Sequence, residues 1–277
     1  MRRLVKTVAG WQVTDGEFVG ALPPGTTLGT LLALSADEFA EALAIELTPG
    51  EPDELRAPVD DDTEVWAAGV TYEVSREARM EESGDADVYA RVYEAERPEL
   101  FFKSVGHRMR GPGEPIGVRD DSTWDVPEPE LALVCNASGE IVGYTIVDDV
   151  SSRSIEGENP LYLPQAKMYC GSCAAGPWIV PAQEIPDPYA LGITVTIHRA
   201  GGLLWTGETS TARLHRRFAD LVSWLYRGDV FPRGAVLATG TSAVPGPDVT
   251  LEADDEVTIM IEGLGTLRNP VRRGRSA

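Results

Sequence analysis

Apolar residues recur along this chain with two different periods, and the switches between them outline its elements. Val257, Ile259 and Ile261 alternate with polar neighbours, the pattern of a half-buried strand. Leu214, Phe218, Leu221, Val222 and Leu225 instead recur every three or four residues, which predicts a helix with one apolar stripe on a core and Gly228 placed to end it. His215 falls off that stripe and reads as a solvated residue, not a ligand. Near the N-terminus, residues 2–22 read as short strands with turns. Ser35-Ala36-Asp37-Glu38 is a capping box opening a helix that runs to about Leu47. Thr48-Pro49-Gly50-Glu51-Pro52 stops it, and the polar stretch through Asp62 reads as a linker.

From Glu64 the texture changes to short strand-like runs bounded by Gly, Pro and Asp. Val65-Trp66-Ala67-Ala68-Gly69-Val70 is an apolar strand, while Ser75 to Glu82 and Ala86 to Glu96 read as helical, broken near Gly84. The expected class is therefore α+β. A small N-terminal α/β domain with its linker occupies residues 1–62, and a strand-rich domain, a folded barrel or roll, occupies 63–277.

Charge and cysteine content narrow the function. The chain carries 24 Lys and Arg against 44 Asp and Glu, a formal net charge of −20 over 277 residues. Such a surface repels phosphate backbones and anionic lipid, so neither nucleic acid nor a membrane is an expected partner. No apolar run reaches the ~18 residues of a spanning helix, and no long apolar segment follows the basic N-terminus, so the expected location is the cytoplasm. Cys135, Cys170 and Cys173 are too few, and odd in number, for a disulfide framework. Cys170-Gly171-Ser172-Cys173 has C-x-x-C spacing, but it lacks the further soft ligands a zinc site needs and reads as small residues in a tight segment.

The chemistry concentrates in Trp124-Asp125-Val126-Pro127-Glu128-Pro129-Glu130. Glu128 and Glu130 are two apart, so on a strand their carboxylates share a face. The chain turns at Asn136-Ala137-Ser138-Gly139 and returns through Ile141 to Val147, with Asp148 and Asp149 next. In a hairpin centred on that turn Glu128 lies opposite about Val147 or Asp148, with Asp149 as a diagonal neighbour. Three carboxylates gathered there repel one another, and a hard divalent cation offsets this: Mg²⁺, with Mn²⁺ or Ca²⁺ as competitors. The competing reading is a solvated acidic edge, common in so acidic a chain. Pro129 cannot donate to a ladder, which favours an edge or irregular strand.

These residues resemble the fumarylacetoacetate hydrolase superfamily. The similarity is carried by Glu128-x-Glu130-Leu131, by Gly143-Tyr144 with Asp149 ending the returning strand, and by Lys167 followed by Gly176-Pro177-Trp178-Ile179-Val180. Thr239-Gly240-Thr241 and the segment Ile261 to Asn269 extend it across roughly 65–270. The resemblance implies a mixed β-roll with a small N-terminal domain, metal ligands at Glu128, Glu130 and Asp149, and an active-site lysine at Lys167. Ser75 stands where the hydrolases usually carry a histidine. The runs Ser75 to Arg79, Glu96 to Lys103 and Ser152 to Pro160 are instead similar to the 2-keto-3-deoxy-pentonate dehydratases of that superfamily. Cys170 departs from the aspartate usual in the superfamily.

The branch implies dehydration of a 2-keto-3-deoxy sugar acid through a chelated enolate. Lys167 is then a base, Glu99 moves a proton to the leaving hydroxyl, and Ser75, Arg76, Glu77 and Thr241 bind substrate. A homodimer or homotetramer follows by analogy. Plainer roles compete: Lys167 paired with surplus carboxylate, Glu99 in a loop, Arg76 and Glu77 on a solvated helix, Gly240 serving only its turn. A hydrolase or decarboxylase of acylpyruvate- or oxaloacetate-like acids, and a non-enzymatic member, are the other readings.

Overall fold

The structure, a computed structural model, describes residues 1–72 and 91–276. Four strands open the chain, β1 (Arg3–Thr7), β2 (Gly10–Thr14), β3 (Phe18–Ala21) and β4 (Thr48–Pro49). Between β3 and β4 lie α1 (Leu28–Leu32) and α2 (Ala36–Ala42). Ser35 caps α2 as expected, but the helix ends at Ala42, with Leu43 as its cap, well short of Leu47. Helix α1 was not anticipated, because Thr30 rather than Glu or Gln completes its capping box on Thr27. The stretch before residue 62 is well packed: Ala57 and Val59 are buried, and Asp60 accepts from the Trp11 indole (3.3 Å) and the Gly29 amide (2.8 Å).

Next come β5 (Glu64–Gly69), β6 (Glu99–Val105), β7 (Ile116–Val118), β8 (Asp125–Val126), β9 (Pro129–Cys135), β10 (Ile141–Asp149) and β11 (Ser151–Ser152). Helices α3 (Arg153–Glu158) and α4 (Leu163–Lys167) lead to β12 (Cys173–Pro181), β13 (Gly192–Arg199) and β14 (Gly202–Ser210). Helix α5 (Phe218–Gly228), β15 (Ala235–Ala238), β16 (Glu256–Ile261) and β17 (Gly265–Arg273) complete the order. A mixed ten-stranded sheet runs β4-β3-β2-β1-β12-β10-β9-β15-β5-β6, and a five-stranded one runs β14-β13-β16-β17-β7. The architecture is strand-rich α+β, as expected.

The central strands β9 and β12 are buried almost end to end because both faces of the large sheet are covered. Leu131, Leu133 and Ile146 join the core shared with the five-stranded sheet and α5. Ala132, Val134 and Val147 face the core shared with α1, α2 and β1–β2. Two expectations are corrected. Helix α5 starts at Phe218, not Leu214, because Leu214 forms a bridge with Tyr72. Strand β9 is interior, between β10 and β15, although Pro129 stands at its first position, beyond the span paired with β15. The expected helix over 75–82 lies outside the described residues; of the one over 86–96, residues 91–94 are helical.

Candidate active site

One face of the large sheet changes from apolar to ionisable as its strands reach one end. Counting by twos, Val65-Ala67 on β5 leads to Gly69, Ala132 on β9 leads back to Glu130 and Glu128, and Val147 on β10 leads to Asp149. On β15, Val236 and Ala238 lead to Gly240, and on β6 Glu99, Phe101 and Lys103 share a side. The hairpin register is Pro129 to Asp148 and Glu130 to Val147, and the Asp149 amide donates to the Glu128 carbonyl at 3.0 Å. Glu128 therefore lies across from Asp149, not from Val147 or Asp148. The irregularity between Ile141 and Gly143 moves the register by the missing residue.

Glu128, Glu130 and Asp149 are all buried and each offers an oxygen within 4.8 Å of the other two. Lys167, at the end of α4, places its ammonium between two of them: Nζ donates to Glu128 Oε2 (2.8 Å), Asp149 Oδ2 (3.1 Å) and Ser151 Oγ (2.5 Å). Its Nζ stands 5.7 Å from the Phe101 ring centroid. Glu99, the first residue of β6 and not a loop residue, lies over Gly69, where a Cβ would come within 2.1 Å of its Oε2. Thr241 is buried beside Gly240, whose amide donates to Glu130 Oε2 at 2.6 Å, so this turn does more than reverse the chain. A cleft collects Glu99, Glu128, Glu130, Asp149, Lys167 and Thr241 on its walls. Ser75, Arg76 and Glu77 lie outside the described residues.

Several participants carried no assignment from sequence. Lys103 is fully buried, pairs with Asp149 Oδ1 at 2.5 Å and donates to the carbonyls of Val150 (3.1 Å) and Lys167 (2.5 Å). The signal for it was the two-residue alternation that runs through Glu99, Phe101 and Lys103. Arg153, on α3, donates through Nη2 to Glu128 Oε1 at 2.9 Å. Val70 on the cleft wall adopts φ +52°, a left-handed conformation unfavourable for a β-branched residue and the kind of strain that clusters at functional sites.

The electrostatics separate the carboxylates. Lys103, Lys167 and Arg153 pair with Glu128 and Asp149, whereas Glu130 accepts the Gly240 amide. Burial, then the charges of Asp149 and Glu128, push the Glu130 pKa well above the ordinary carboxylate range. A hard cation among the three would keep Glu130 ionised. The all-oxygen donor set fits one: bonds of ~2.1 Å place octahedral ligands about 3 to 4.2 Å apart, close to the spacing present. Asp148, on the opposite side of β10, accepts from the Glu128 amide at 3.1 Å, and burial raises its pKa to about 8. Cys173 is buried, which pushes its thiol pKa up, Cys170 is exposed, and neither forms a disulfide. His215 is exposed and stacks on Tyr93.

Residues 64–272 match the sequence profile of the Fumarylacetoacetate (FAA) hydrolase C-terminal family. The probable 2-keto-3-deoxyxylonate dehydratase of Haloferax volcanii is 52% identical over 214 residues, covering 77% of this chain and 73% of that protein. The 2-dehydro-3-deoxy-D-arabinonate dehydratase of Saccharolobus solfataricus is 47% identical over 225 residues, covering 80% and 75%. Among solved structures, 2-keto-3-deoxy-D-arabinonate dehydratase complexed with magnesium and 2,5-dioxopentanoate superposes with a TM-score of 0.84 at 37% identity over 99% of both chains.

Proposed function

The chain belongs to the fumarylacetoacetate hydrolase family, and from that membership we propose that it is a magnesium-dependent hydro-lyase converting a 2-keto-3-deoxy pentonate to 2,5-dioxopentanoate. The observation that carries the reading is the buried Glu128, Glu130 and Asp149 trio with Lys167 set against two of its members. Relatives of about half-identical sequence support the substrate class.

The reaction removes a C3 proton and the 4-hydroxyl as water; moving the resulting double bond toward C5 then gives the aldehyde. Glu128, Glu130 and Asp149 would hold magnesium, which would supply Lewis-acid polarisation of the 2-keto group. Lys167 in its neutral form is the base for the C3 proton, a cation at the neighbouring trio favouring loss of the ammonium proton: its Nζ stands beside the ligand cluster on the cleft wall. Glu99, on the same wall over Gly69, delivers the proton to the departing hydroxyl. Thr241 takes the substrate carboxylate through its hydroxyl or amide, and Ser75, Arg76 and Glu77 complete the binding set. Lys103 and Arg153 hold Asp149 and Glu128 in place through their ion pairs.

The same reading keeps residues 1–62 as an N-terminal unit, supported by the family match beginning at 64, with its strands continuing the large sheet through the pairing of β1 with β12. It places the protein in the cytoplasm as a homodimer or homotetramer. The three cysteines form no disulfide, which supports a reducing compartment. No helix among the described residues is long and apolar enough to cross a membrane.

The test is incubation with Mg²⁺ and 2-keto-3-deoxy-D-arabinonate while 2,5-dioxopentanoate is followed. Formation of the dioxo acid, abolished by Lys167→Met, is the expected result. No dehydration alongside hydrolysis of an acylpyruvate would overturn the assignment in favour of a C–C hydrolase.

A further inference from the structure

Helix α3 puts two ionisable side chains on the cleft, Arg153 and Glu156, and the mechanism above uses the first alone. They are three residues apart and so share a helix face. Glu156 is buried, and its Oε2 lies 4.0 Å from Arg153 Nε, a charge contact longer than a hydrogen bond. Arg153 commits its Nη2 to Glu128. A carboxylate has about four lone-pair sites, so Glu156 keeps capacity to accept from a ligand even while it faces the guanidinium.

The contacts give the cleft two ends. Glu130 is tied to the Gly240–Thr241 turn, and Glu128 is tied to α3 through Arg153. A keto acid with its carboxylate at Thr241 directs its far carbons toward the Glu128 side, where α3 lies. A sugar acid brings hydroxyl donors at C4 and C5, each of which needs an acceptor wherever it gives up water. Outside the trio, the described carboxylates on the cleft wall are Glu99 and Glu156. Glu99 is assigned to the 4-hydroxyl.

We infer that Glu156 is the specificity-determining residue for the far end of the substrate, accepting the hydrogen bond of the C5 hydroxyl and thereby selecting hydroxylated 3-deoxy acids over chains that end in a methyl group. The inference rests on the dehydratase reading. An apolar chain end placed against Glu156 would leave a buried carboxylate and its guanidinium neighbour without the water they lose, which is how a polar site rejects an analogue lacking a hydroxyl.

The experiment compares 2-keto-3-deoxy-D-arabinonate with its 5-deoxy analogue, 4-hydroxy-2-oxopentanoate, whose dehydration gives 2-oxopent-3-enoate. The wild-type protein is expected to favour the hydroxylated acid about 10- to 100-fold in kcat/KM, the range of a hydrogen bond to a charged group. Glu156→Leu should lose a similar factor on that substrate and less than about 3-fold on the analogue, with Glu156→Gln between wild type and Leu because an acceptor remains. Mg²⁺ affinity, measured alongside, should stay close to wild type. Equal losses on both substrates, or a wild-type protein indifferent to the 5-hydroxyl, would overturn the inference. The wild-type comparison decides even if the variants fold poorly. Failure of the dehydratase reading looks different: neither hydroxy acid is dehydrated by the wild-type protein.

Discussion

Replacing Lys103 by Met tests how strongly the carboxylate trio depends on a cation the protein supplies itself. Lys103 and Asp149 are both essentially excluded from water, 1% exposed, and their charged atoms are 2.5 Å apart. Deleting Lys103 leaves the buried Asp149 with Lys167 as its remaining cation, and breaking a buried pair costs about 3–5 kcal/mol. Methionine matches the length of the lysine stem, so little of that loss comes from a cavity. It also removes the two donors to the carbonyls of Val150 and Lys167, which fix the end of β10 against α4. For a chain of 277 residues the melting temperature should fall by about 6–10 °C in EDTA, since each kcal/mol is worth roughly 2 °C at this size. Saturating Mg²⁺ should recover part of the loss, because a cation among the carboxylates offsets the same imbalance. Calorimetry with and without the metal is the assay. A Lys103→Met protein within 1 kcal/mol of wild type in EDTA would refute the argument, for the pair would then be too well hydrated to matter.

Four further outcomes follow from the same geometry. Glu130→Gln should leave stability in EDTA within about 1 kcal/mol of wild type, because burial already favours the neutral form, while Mg²⁺ binding measured by titration calorimetry is lost; retained binding would remove Glu130 from the ligand set. Gly240→Ala should weaken Mg²⁺ at least about 10-fold and destabilise by more than ~1 kcal/mol, since φ is +88° and a Cβ would lie 2.0 Å from Thr71 Oγ1; unchanged binding and melting would contradict the role given to its amide. Burial raises the Asp125 pKa to about 6, so its contribution favours folding below the unfolded value near 4 and is lost as pH rises through 6. Asp125→Asn should therefore gain on the order of 2–3 kcal/mol over wild type in urea unfolding at pH 8 and nothing near pH 4; a gain at both pH values would point to packing instead. Mg²⁺ at a hundred times its dissociation constant should stabilise the wild-type protein by about 2.7 kcal/mol, a rise of roughly 5 °C, and an unchanged melting point would show that no ion binds.

Local rules explain what the sequence revealed and where it misled. Alternation at Val257, Ile259 and Ile261 was reliable because that strand has one covered face. The stripe beginning at Leu214 overran the helix because an apolar residue can be buried from a strand-like bridge as well as from a helical turn. The carboxylates were visible because two of them fall two apart and the third ends the returning strand. Their register was not, since a bulge leaves no compositional mark around Ile141 and Gly143. Lys103 was concealed by long-range pairing: Asp149 is its partner, and nothing in the chain between them announces the contact. Pro129 suggested an edge because its neighbours on the β15 side cannot be inferred from the run itself.

The proteins' three clustered acids come from 22 consecutive positions, 128–149, whereas the lysines that neutralise them enter from β6 and α4. A hairpin of this composition works against its own closure until those distant amines arrive, so the segment depends on the surrounding scaffold for its shape. Transplanting residues 128–149 alone into a foreign β-protein should yield a frayed ribbon; moving the buried charge cluster requires carrying Lys103 and Lys167 with it.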